Sequence, residues 1–76
     1  MKEFIEYIAK QLVDSPENVM VTEQEKDGKI TLRIRVANPD VGKIIGRKGR
    51  SAQAMRVLLS AVGAKNGKRA ILEVDD

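Results

Sequence analysis

From Val41 to Ser51 the chain reads VGKIIGRKGRS, with three glycines, four basic residues and no acid in eleven positions. Apolar residues at helical spacing stand on both sides, Val41, Ile44 and Ile45 before the turn and a run from Ala52 to Val62 after it. Gly46 and Gly49 let the backbone bend tightly between these two helices, at angles that other residues rarely adopt. A short helix, a sharp basic turn and a long helix must therefore occupy the middle of the fold, and the flanking segments must cover them.

Those flanks are legible by period. Between Lys2 and Val13, Phe4, Ile5, Ile8, Ala9, Leu12 and Val13 recur at three- and four-residue spacing, which predicts an amphipathic helix ended by Pro16. NVMVTEQE alternates, with Val19 and Val21 on one face and Met20 and Thr22 on the other, and reads as a strand. Asp27-Gly28 supplies a two-residue hairpin turn. KITLRIRV then alternates throughout, with Ile30, Leu32, Ile34 and Val36 inward and Lys29, Thr31, Arg33 and Arg35 outward as solubilising charge. Asp40 is placed to cap the short helix, while Gly63 and the GAKNGK stretch are expected to close the long one near Val62. KRAILEV is a last strand, with Ala70, Leu72 and Val74 on one face. The order is αββααβ, an α+β domain spanning residues 1–76 with helices on one face of a three-stranded sheet.

Composition narrows the chemistry. The 76 residues contain neither cysteine nor histidine. Disulfides, thiolate nucleophiles, zinc–thiolate sites and the Ser/His and Cys/His catalytic pairs are therefore unavailable, and no enzymatic activity, metal or cofactor is expected. No long apolar run suggests a membrane span, and charges interrupt the first helix too often for a secretory signal, so a cytoplasmic location is expected. The net charge of +3 is unevenly spread: residues 1–40 sum to −2, residues 41–69 to +8 with no acid, and Glu73, Asp75 and Asp76 bring −3. A continuous positive stretch of this kind attracts polyanions.

The glycine turn suits such a ligand. Without a Cβ at either glycine, a sugar–phosphate chain can approach the backbone, and the following helix points its positive dipole end at the same place. Arg47 and Lys48 stand at the tip, with Lys43 and Arg50 beside it. The motif IIGRKG at Ile44–Gly49, followed by RSAQAM and set among these strands and helices, resembles that of a type II KH domain. Over essentially its whole length the chain is similar to the small bacterial KhpA family of RNA-binding proteins. That resemblance implies a mixed sheet and a loop that clamps about four nucleotides of single-stranded RNA by their backbone. It also implies an apolar groove walled by the two helices and the last strand, for which Ile44, Ile45, Ala52 and Ile71 are the candidates, with Lys65, Lys68 and Arg69 as a basic rim. Finally, it implies self-association, a larger KhpB-type partner (also called Jag or EloR), and a role as RNA regulator or chaperone linked to cell elongation and division.

Two features qualify the resemblance. Alanine at position 52 stands where KH domains commonly carry a larger aliphatic, which implies either a shallower groove or a more closely packed helix. Phe4 and Tyr7, the only aromatics, lie far in sequence from the loop, so stacking on aromatic rings cannot supply affinity. Low sequence selectivity is the consequence. Among rival readings, GAKNGKR fails the spacing of a nucleotide-binding phosphate loop. A DNA-reading helix-turn-helix would need polar residues where the long helix carries Ala, Met, Val and Leu. A protein-interaction module is the stronger alternative. The apolar residues of the long helix cover an arc of about 220°, wider than packing on one sheet requires. Ala54, Val57, Leu58 and Ala61 are the expected surface of a homodimer.

Overall fold

The computed structural model describes residues 1–75; Asp76, counted above among the terminal acids, lies outside them. Helix α1 spans Lys2–Leu12, strand β1 Met20–Lys26 and strand β2 Lys29–Arg35. Helix α2 (Val41–Ile45), helix α3 (Arg50–Lys65) and strand β3 (Arg69–Asp75) follow, with single 3-10 turns at Pro16–Asn18, Asn38–Asp40 and Arg47–Gly49. The αββααβ order is the one expected.

The sheet order is β1-β2-β3, antiparallel between β1 and β2 and parallel between β2 and β3. The sheet is thus mixed, as in a type II KH fold. Asp27 (φ 53°) and Gly28 (φ 76°) make the hairpin turn between β1 and β2, both left-handed as a type I′ turn requires. On β2 the alternation is obeyed: Ile30, Leu32 and Ile34 are buried while Lys29, Arg33 and Arg35 are exposed. They join Ile5, Ala9, Val21, Val36, Ile44, Met55, Leu59 and Leu72 in one core between the helices and one sheet face. Each fully buried Leu or Ile there contributes about 1.5–3 kcal/mol. Strand β1 is an edge, and only Val21 of it is buried. Its next core-facing positions hold Glu23 and Glu25, both exposed, and Glu25 instead pairs with Lys68 at 2.8 Å.

Two expectations about ends are corrected. The long helix does not close at Gly63 but runs on to Lys65. Gly67 (φ 69°) ends it, with Lys68 N–H donating to the Gly63 carbonyl (2.8 Å) and Gly67 N–H to that of Ala64 (3.1 Å), the paired bonds of a Schellman motif. Gly63 serves packing instead: a Cβ there would stand 2.8 Å from the Lys68 carbonyl oxygen and 3.1 Å from the Ala70 Cβ, so its absence lets α3 lie close on β3. Nor does the Asp40 side chain cap α2. Its buried carboxylate accepts hydrogen bonds from the backbone N–H groups of Asp14 (3.3 Å) and Ser15 (3.1 Å), tying the segment after α1 to the start of α2.

Candidate nucleic-acid interface

The glycine turn is built by contact as well as by conformation. At Gly46 (φ 80°, ψ 170°) a Cβ would run into the Ser51 side chain and come 2.8 Å from the Ser51 backbone nitrogen. Glycine here lets the first turn of α3 pack against the end of α2. Gly46 N–H bonds to the Gly42 carbonyl (2.8 Å) and Gly49 N–H to that of Gly46 (3.0 Å), which draws the loop tight. Lys48 and Gly49 then both adopt left-handed angles (φ 57° and 73°) before α3 begins. Around Gly42 nothing lies within 4 Å of a Cβ position, so close packing is not the reason for that glycine.

Arg47, Lys48 and Arg50 are exposed and have no acidic partner among the described residues. No side chain caps α3 at Gly49, and the positive end of that helix faces the loop. Farther along α3, Arg56 and Ser60, one turn apart, face the edge strand β3 across a cleft of about 450 Å³. Lys68, Arg69 and Ile71 line the same cleft. Arg56 and Ser60 are absent from the residues expected at the site; the signal that could have found them is their place, one turn apart, on the narrow polar side of α3 outside its apolar arc.

Other candidates lie elsewhere. Ile44 is fully buried in the core and Ala52 is only 2% exposed, so neither presents a wall to the groove; Ile45 is half-buried at the end of α2. Lys65 is exposed at the end of α3, outside the cleft. Lys43 turns away to bond Asp14 Oδ2 (2.6 Å) and Asp40 Oδ1 (3.5 Å), so its charge is held within the protein. For Asp40, burial acts to raise the carboxyl pKa, but the Asp14 and Ser15 N–H groups and the Lys43 ammonium together hold it below its ordinary value of 3.8. Its contribution to stability is therefore complete above that value and lost as pH falls through the lowered one. The hydrogen bond to Asp14 raises the Lys43 pKa above 10.5, so its contribution persists until strongly alkaline pH.

The glycine turn with its basic tip thus opens a helix that lines a cleft beside the parallel edge strand β3, and no residue of α2 lines that cleft. The family model described as KhpA/KhpB, KH domain, matches residues 2–74. The chain belongs to this family. It is 46% identical over 74 residues to the protein named RNA-binding protein KhpA of Listeria monocytogenes serovar 1/2a, covering 97% of each chain. Its identity to the proteins of the same name is 47% for Chlamydia pneumoniae and 43% for Aquifex aeolicus, covering 97% of this chain and 95% and 94% of theirs. Among the described residues there is no cluster of metal-ligating side chains, and no helix long and apolar enough to cross a membrane.

Proposed function

We propose that this chain is an RNA-binding protein that holds single-stranded RNA through the Gly46–Gly49 loop and the cleft between α3 and β3. The observation that carries the reading is the loop itself: two exposed cations, without an acidic partner among the described residues, on a backbone drawn tight by Gly46, directly before a long helix whose next turns line a cleft. Arg47 and Lys48 would meet phosphates at the loop, with Arg50 beside them. Arg56 and Arg69 would line the base-bearing cleft, where Ile71 supplies apolar surface, and half-buried Ile45 would stand beside the loop at the end of α2. The relatives' name agrees with this assignment. With no aromatic ring in the cleft and mainly charge at its rim, binding is led by the backbone, tolerant of sequence and weakened by salt. A cytoplasmic regulator or chaperone of RNA, paired with a KhpB-type protein and linked to cell elongation and division, is the physiological setting we infer.

Replacing both Arg47 and Lys48 with Asp tests the clamp. Retention of single-stranded RNA should disappear while the melting temperature and molecular mass stay unchanged. RNA binding at wild-type affinity in that variant would show that the loop is not the grip.

A second reading rests on a separate observation. Val57 is 58% exposed and Leu58 44%, and Ala54, Ala61 and Val62 are also exposed on α3. The inner stripe of that helix, Ala52, Met55, Leu59 and Gly63, already meets the core. The sheet and α1 therefore leave part of the apolar arc uncovered, and we infer that a second copy of the chain covers it.

A further inference from the structure

The outer face of the sheet carries side chains in cross-strand rows, and these rows are not alike in charge. Arg33 lies opposite Glu73 and Arg35 opposite Asp75, and both pairs form ion pairs, at 3.1 and 3.5 Å. The next row, Gln24, Thr31 and Ile71, is neutral. At the hairpin end the register places Lys26 opposite Lys29, and Lys29 opposite Arg69. Three cations thus stand side by side across all three strands, and none has an acidic partner among the described residues. Like charges directly opposite one another destabilise a sheet, so this row opposes folding, whereas the rows beyond it are neutral or compensated.

The row also lies on a concave, firmly held surface. Lys26, Lys29 and Arg69, with Gln24 and Thr31, line a cleft of about 510 Å³, and Asp27 of the turn is the one acid at its margin. The Arg69 N–H donates to the Gly28 carbonyl at 2.9 Å, which fastens the start of β3 to the hairpin. Arg69 lines this cleft and the α3–β3 cleft alike. A strand leaving the latter at the start of β3 meets these cations next.

We propose that Lys26, Lys29 and Arg69 form a second phosphate-binding surface, which takes the backbone of the same RNA strand beyond the nucleotides held by the loop and groove. This rests on the RNA-binding reading above, and the occupant follows from charge complementarity and from the continuity that Arg69 provides. The effective RNA footprint is then longer than the stretch of about four nucleotides that such a loop clamps.

Titrations of single-stranded RNA with Lys26→Gln/Lys29→Gln test this, using one oligonucleotide of about four nucleotides, the length a loop of this kind holds, and one three times longer. The expected result is unchanged affinity for the short RNA and weaker binding of the long one. The slope of log K against log salt for the long RNA should shrink by about 1.4, since each phosphate of a single strand that the protein neutralises contributes about 0.7 and the variant neutralises two fewer. Lys26→Arg/Lys29→Arg should bind both lengths as wild type does. Unchanged binding of the long RNA by the glutamine variant would overturn the proposal, and so would equal weakening for both lengths, which marks a general field effect. The Arg47→Asp/Lys48→Asp variant separates the two readings, because failure of the clamp shows there, in the short RNA, and failure of the extension shows only in the hairpin variant.

Discussion

Lys48 occupies a left-handed backbone conformation at φ 57°, ψ 27°, where a side chain with a Cβ is disfavoured by roughly 1–2 kcal/mol. Asn tolerates that region better. Lys48→Asn should therefore raise the stability of the domain by up to about 1 kcal/mol, read by thermal unfolding, while RNA affinity falls and the salt slope shrinks by about 0.7. A lower melting temperature would mean that the loop holds no strain at this residue. Strain kept at a cationic tip fits a residue retained for binding rather than for folding. The sequence showed a basic residue between two glycines. It could not show the angle, because Arg47, an equally basic neighbour between the same glycines, keeps a helical conformation while Lys48 takes the left-handed one.

Among the elements, α3 carries the most: its inner stripe meets the core, Arg56 and Ser60 face the cleft, and its outer apolar face is open. Its fit to β3 depends on Gly63. In an isolated helix Gly→Ala would stabilise by about 1 kcal/mol, but here the added methyl meets backbone at 2.8 Å, and overpacking of that kind costs about 1–3 kcal/mol. Gly63→Ala should lower the melting temperature, whereas the same change at Gly42, where nothing lies within 4 Å, should not. If both substitutions stabilise, α3 and β3 do not approach so closely. Helix and strand identities were legible because apolar spacing is a local property. The end of α3 was not, since Gly63 and Gly67 look equivalent in sequence and only the approach of β3 distinguishes packing from termination. Arg56, likewise, could be assigned to the cleft only once β3 lay opposite it.

At the scale of the whole molecule, a small domain leaves Val57 and Leu58 exposed and concentrates its cations on the loop, the cleft and one end of the sheet. If a second copy covers α3, association and stability are linked, and the melting temperature should rise with protein concentration. Leu58→Glu should remove that dependence and halve the mass seen by light scattering. A wild-type protein that is monomeric at tens of micromolar would exclude the dimer. The sequence by itself determined the αββααβ order, the basic character of residues 41–69 and the glycine turn, all of which follow from side-chain period, local charge and backbone freedom. Only the tertiary structure decided which cations are available. Lys43 is drawn to Asp14 and Lys68 to Glu25, each partner far away in the chain, while Lys26, Lys29 and Arg69 are aligned by strand register. Charge is written residue by residue, but whether it is neutralised depends on which distant segments the core brings together.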